Sequence, residues 1–159
     1  MMADFLEPGA HAPDFTLTAD NGKQVKLSEL RGKRVILYFY PRDDTPGCTC
    51  EAQSFRDHKA PLQKLRATVV GVSPDSAASH EKFRDKHHLN FPLLADEGHE
   101  VAETFGAWRP KTRFGKTAMG IQRSTYLIDE QGVVRKVWKN VKVDGHSEQV
   151  LKALKELEQ

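Results

Sequence analysis

Two short, almost wholly apolar runs set the terms for this chain: Val35-Ile36-Leu37-Tyr38-Phe39-Tyr40 and Thr68-Val69-Val70-Gly71-Val72. A strand with one face in water alternates apolar and polar side chains. Neither run alternates, so each reads as a strand buried on both faces. Between them lies a stretch with helical spacing: Cys48, Ala52 and Phe55 fall at i, i+4 and i+7, and Leu62 and Leu65 continue the stripe beyond Pro61. Pro61 lacks an N–H and clashes with the preceding turn, so it should kink or divide the helix. Strand, helix, strand is a βαβ unit. It demands helices packed on a central sheet rather than a sandwich or a bundle.

The flanking segments extend this pattern. Phe15, Leu17, the turn Asp20-Asn21-Gly22, Val25 and Leu27 read as an N-terminal β-hairpin, with Asn-Gly supplying the positive φ angles of a tight turn. Ser28 to Gly32 reads as a short turn or helix. Ser73-Pro74-Asp75-Ser76 is a loop ending in good N-cap residues, and Ala77 to His88 a helix that leaves His87 and His88 exposed. Phe91 to Leu94 is a short strand. Val101, Phe105 and Trp108 space a third helix, closed near Gly106, and Trp108 and Trp138 are expected to be core anchors. Residues 109–120 show no periodicity and carry four basic side chains, which reads as a mobile loop. Thr125 to Ile128 and Val133 to Trp138 form a second hairpin, and Ser147 caps a last helix with Val150, Leu154 and Leu157 inward. The fold class expected is α/β: a mixed central sheet flanked by helices, thioredoxin-like, with an N-terminal hairpin and one domain over residues 1–159.

Hydrophobic residues make up 38% and charged residues 29% of the 159, which suits a globular chain and not a disordered one. A net charge of +2 gives no case for nucleic acid or an anionic membrane as partner. The first residues, Met1 to Gly9, have no basic n-region or apolar h-region, and no apolar run approaches the ~20 residues of a membrane span. Two cysteines two positions apart form no disulfide framework, so the expectation is a cytoplasmic protein with reduced thiols.

Both cysteines lie in Pro41-Arg42-Asp43-Asp44-Thr45-Pro46-Gly47-Cys48-Thr49-Cys50-Glu51, where the first buried strand gives way to the helix. Backbone N–H groups and the helix dipole favour a thiolate there. A thiol that reduces peroxide must also have donors for the two peroxide oxygens and protection from water. Gly47 permits close backbone approach, and the Cys48 amide is an unpaired first-turn donor. The Thr45 hydroxyl can accept from the peroxide and donate to the thiolate, while Pro41 and Pro46 stiffen the loop. Arg123, just before the strand from Thr125, is favoured over the solvated Arg42 as the cation that stabilises the thiolate.

Pro41-x-x-x-Thr45-x-x-Cys48 matches the peroxiredoxin signature. Tyr38 to Ala52, Gly120 to Asp129 and Pro13 to Leu17 resemble the bacterioferritin-comigratory, or PrxQ, subfamily over nearly the whole chain. The resemblance implies a thioredoxin-like fold, a peroxidatic Cys48 supported by Pro41, Thr45 and Arg123, and a Glu51 that serves local hydrogen bonding. It implies hydrogen peroxide or an alkyl hydroperoxide as substrate, thioredoxin or another thiol as reductant, no cofactor and no metal, and a monomer.

This sequence departs from that pattern in its second thiol. Gln53 and Arg84 occupy the positions where such proteins carry a resolving cysteine. Cys50 remains, but residues i and i+2 of a helix point about 200° apart. Cys48 shares a face with Ala52 and Phe55; Cys50 shares one with Gln53, Ser54 and Asp57. A Cys48–Cys50 disulfide would need the first turn to unwind. Cys50 is thus open as a bystander beside an external thiol, as a strained internal resolver, or as a bridge to another chain. Two other functions stay in view: a Cys-x-Cys soft-metal protein, and a general thiol–disulfide oxidoreductase lacking the usual Cys-x-x-Cys.

Overall fold

A computed structural model describes residues 4–158. Met1 to Ala3, part of the stretch read for a leader signal, lie outside the described residues. The strands are β1 (Thr16–Ala19), β2 (Gln24–Lys26), β3 (Arg34–Phe39), β4 (Ala67–Ser73), β5 (Leu93–Ala95), β6 (Trp108–Arg113), β7 (Lys116–Ile121), β8 (Ser124–Ile128) and β9 (Val134–Trp138). The helices are α1 (Pro46–Asp57), α2 (Lys59–Lys64), α3 (Ala77–His87), α4 (Glu100–Thr104) and α5 (His146–Leu157), with a 3-10 turn over Leu27–Leu30.

Seven strands form one mixed sheet in the order β2-β1-β5-β4-β3-β8-β9. β3 is parallel to β4 and β4 to β5, whereas β8 runs antiparallel to β3 on its other side. β3 is buried at every position, and its side chains split by parity. Ile36 and Tyr38 join Cys48, Ala52 and Phe55 of α1, Leu62 of α2, Phe83 of α3 and Val150 and Leu154 of α5. Val35, Leu37 and Phe39 face the other way, onto Val101 and Ala102 of α4, Phe105 and Tyr126. The thioredoxin-like expectation is therefore met by a sheet with four helices on one face and α4 plus N-terminal residues on the other.

Several local expectations hold. Ser76 caps α3, its Oγ accepting from the Ser79 N–H at 3.1 Å. The first helix is divided, at His58, and Pro61 sits in the opening turn of α2, where a missing N–H costs nothing. The first hairpin's turn meets the expectation only at Gly22, which takes a positive φ of +82°, while Asn21 does not.

Others are corrected. Residues 109–120 are not an irregular loop: β6 and β7 form a two-stranded antiparallel hairpin in full register from Trp108↔Ile121 to Arg113↔Lys116. Its faces are both largely solvated, so no apolar alternation marks it. Its two-residue turn holds Phe114 at φ +52° and Gly115 at φ +75°, the signs a tight hairpin turn needs. The third helix closes at Thr104, and Trp108 lies on β6, half-buried and stacked on His99 at 3.8 Å. Ser147 is not the cap of α5: Gly145 holds that position and Ser147 is buried in the first turn. His87 is half-buried because its Nε2 meets Asp44 Oδ1 at 2.8 Å.

Candidate active site

The site is assembled where β3 ends. After Tyr40 the chain turns through Pro41–Thr45 and enters α1 with Pro46 in its first turn. Thr45 occupies the cap position, and the first i−4 bond runs from the Thr49 N–H to the Thr45 carbonyl at 2.8 Å. The Cys48 amide lies one residue ahead, among the donors that the helix itself leaves unpaired. Cys48 is 1% exposed, on the α1 face that also buries Glu51, Ala52 and Phe55. Cys50 is exposed on another face, and both thiols are free.

Arg123 reaches this point through topology. Ser124 pairs with Phe39 in the β3–β8 register, so the residue just before β8 falls beside the loop just after β3. Arg123 Nη2 donates to Cys48 Sγ at 3.4 Å and Nη1 donates to Glu51 Oε1 at 2.7 Å. One guanidinium thus bridges a sulfur and a carboxylate three residues apart on one helix. Burial works against its charge, but Glu51 and Cys48 outweigh that and raise the Arg123 pKa. Glu51 is 2% exposed, and burial, opposed only by Arg123, pushes its carboxyl up to about 7. Gly47 bears on the same group, because a Cβ there would stand 3.2 Å from Arg123 Nη2.

Two buried polar atoms around this centre, Glu51 Oε2 and the Tyr38 hydroxyl, have no hydrogen-bond partner among the described residues. The Tyr38 phenol is pushed well above its ordinary range by burial, then by Glu51 and Cys48. Of the residues singled out from the sequence, Cys48, Arg123, Glu51 and Gly47 meet. Pro41 is half-buried in the loop. The Thr45 hydroxyl donates to the Arg42 carbonyl at 3.1 Å rather than to Sγ. Cys50 stays apart.

Sequence reasoning missed what holds the loop. Asp43 Oδ1 accepts from the Tyr40 hydroxyl at 2.6 Å, and Oδ2 accepts from the Ser79 hydroxyl and faces His80 Nδ1, both at 2.7 Å. The Asp43 N–H donates to Asp75 Oδ2 at 2.7 Å. His80 is fully buried, its Nε2 on the Leu94 carbonyl at 2.9 Å. Asp44, at φ +59°, accepts from Lys86 at 2.7 Å. The loop is therefore tied to α3 and to the turn that joins β4 to it. The only trace of this in the sequence is a pair of acidic residues in a loop, with no spacing that names their partners.

The AhpC/TSA family profile matches residues 8–137. Peroxiredoxin Bcp of Bacillus subtilis is 50% identical over 152 residues, covering 96% of this chain and 97% of that protein. Peroxiredoxin Bcp of Escherichia coli K12 is 43% identical over 151 residues, covering 95% and 97%. Among solved structures, the Xanthomonas campestris bacterioferritin comigratory protein superposes with a TM-score of 0.90 at 37% identity, covering 99% of this chain and 100% of the other. A PrxQ mutant from Xylella fastidiosa gives 0.93 at 32%, with coverage of 99% and 100%. With a sulfur, an arginine and a buried carboxylate gathered at the end of β3, this chain belongs to the AhpC/TSA family, as a peroxiredoxin of the Bcp, or PrxQ, type.

Proposed function

We propose that this chain is a thiol-dependent peroxidase in which the Cys48 thiolate attacks the terminal oxygen of hydrogen peroxide or an alkyl hydroperoxide. The O–O bond breaks, an S–O bond forms, and the departing hydroxide or alkoxide takes up a proton to leave as water or alcohol. Cys48 is left as a sulfenic acid. The observation that carries this reading is the 3.4 Å contact from Arg123 Nη2 to Sγ, made by a guanidinium whose other arm is fixed by Glu51. A cation held in place before the reaction stabilises the thiolate and then the charge moving onto the leaving oxygen, without reorganising. The Cys48 amide and the Thr45 hydroxyl, exchanging its Arg42 carbonyl for the peroxide, complete the donor set. Pro41 limits the loop's freedom. Support for an alkyl hydroperoxide comes from the Xanthomonas campestris relative, whose structure concerns alkyl peroxide reduction.

A thiol donor returns the electrons, with Cys50 a bystander on the exposed side of α1. The chain acts as a monomeric, single-domain cytoplasmic enzyme and needs no metal or other cofactor. No helix among the described residues is long and apolar enough to cross a membrane.

Peroxide consumption by reduced protein, followed after adding one equivalent, tests the assignment. Cys48→Ser should abolish the rapid phase, and Arg123→Ala should slow it by about 10²-fold or more. A Cys48→Ser protein as fast as wild type would sink the proposal. So would stoichiometric Zn²⁺ uptake lost in Cys50→Ser, if the wild type showed no peroxidase activity.

A further inference from the structure

A cavity of about 440 Å³ opens where the parallel strands β3, β4 and β5 begin. Its walls come from the turn before β3, from α2, from the first residues of β4 and from the loop before β5. Cys48 follows the other end of β3, so the peroxide step makes no use of this space. The volume falls within the range of about 300–1,000 Å³ that small-molecule sites occupy. The floor is apolar: Phe55, Leu62, Val69 and Phe91 line it, all buried members of one packed cluster. Two of these carry rings that flank a third, with the Tyr38 centroid 5.0 Å from that of Phe55 and 6.1 Å from that of Phe91.

The rim is cationic. Lys33, Lys59 and Arg66 line the same cavity, all three exposed, and no acidic residue lines it. Lys59 Nζ donates to the carbonyl of Asn90, another lining residue, at 2.6 Å, which holds its ammonium at the mouth. Neither lysine pairs with a carboxylate among the described residues. Arg66 has Glu130 at 3.6 Å, but Arg34 shares that carboxylate at 3.3 Å. An apolar floor by itself accepts any apolar molecule. Cations grouped at its edge, outnumbering the carboxylates near them, favour an anion. The two rings favour a flat one, since aromatic pairs gain more than their buried area supplies.

We infer that this cavity is a binding site for a small aromatic carboxylate of about two rings. The rings lie against Phe55 and Phe91, and the carboxylate lies among Lys33, Lys59 and Arg66. Open α/β sheets take their ligands at the carboxyl ends of the parallel strands, which is where Cys48 stands here. This second site is at the amino ends of the same strands, so both can be occupied together. It stands independently of the peroxidase reading.

The test titrates the full chain by calorimetry with four molecules: 2-naphthoate, the neutral 2-naphthalenemethanol, the cationic 2-naphthylmethylamine and the aliphatic decanoate. Methyl NMR of the same mixtures reports where each one binds. 2-Naphthoate should bind one to one and tightest, and should move the Leu62 and Val69 methyl signals. Lys59→Gln should weaken 2-naphthoate about fivefold, the effect of removing one unit charge from roughly 4 Å in water, and leave the alcohol unchanged. Lys33→Gln should act in the same direction, and added salt should shrink the margin of carboxylate over alcohol. Any of five results would overturn the inference: no saturable binding of 2-naphthoate at millimolar concentration, an amine bound as tightly as the carboxylate, decanoate bound as tightly as 2-naphthoate, methyl shifts away from the cavity, or an equal loss of every ligand in both lysine variants.

Discussion

At the scale of single residues, Glu51 has the most measurable consequence. It holds Arg123 with one oxygen and leaves the other buried, with no partner among the described residues. Its carboxyl is raised from 4.5 to about 7, chiefly by burial. A group raised in the folded state takes up a proton that the unfolded chain has released. Its contribution to stability is whole below about 4.5 and is lost as pH climbs through 7. The loss amounts to about 3 kcal/mol. Urea midpoints from pH 5 to 8 should therefore fall for wild type and be flatter for Glu51→Gln; parallel slopes would refute the account. The meeting of Cys48 and Arg123 was legible beforehand, because the motif around each names its partner. The role of Asp43 was not: it is a surface-type residue in a loop until β4 and α3 surround it. His87 was misread for the same reason, since Asp44 that covers it is 43 residues away.

At the scale of elements, the loop from Pro41 to Gly47 is held in shape from outside, by α3 and the turn that precedes it. Asp43→Ala would strand the Tyr40 and Ser79 hydroxyls and the buried His80 ring together. Breaking such a network costs about 2–4 kcal/mol. Amide exchange over Thr45 to Glu51 should accelerate and peroxide consumption should slow, whereas unchanged exchange there would mean the loop stands by itself. The elements that were easy to read, β3, β4 and α3, are those with a buried face, because burial writes an apolar pattern into the sequence, an unbroken run where both faces of a strand are covered. The β6–β7 hairpin buries almost nothing and writes none; only Phe114-Gly115 at its tip hinted at a turn, and a Phe at positive φ is a poor hint. The capping of α5 failed similarly, since Gly145 at φ +75° opens that helix while Ser147 turns inward to Ser54 and His58.

At the scale of the whole molecule, the placing of the two thiols decides the fate of an oxidised chain. With Cys50 exposed on another face of α1, the sulfenic acid has no partner in reach while the helix is intact. Intact-mass measurement after one equivalent of peroxide should show a gain of one oxygen, and with excess a second, as the sulfinic acid. Cys50→Ser should behave identically; a loss of two hydrogens in wild type would reveal an internal disulfide instead. The central βαβ unit was legible because its strands are buried on both faces, whereas the β3–β8 pairing was not dictated by any local pattern. That pairing has a consequence for the chain as it is made. Cys48 and Arg123 are 75 residues apart in sequence, and only the docking of β8 onto β3 brings them together. On a ribosome producing about 5–20 residues per second, the thiol is out for several seconds before its arginine exists. A nascent chain therefore carries an ordinary cysteine until β8 docks on β3, and reactivity toward peroxide arrives with that long-range pairing.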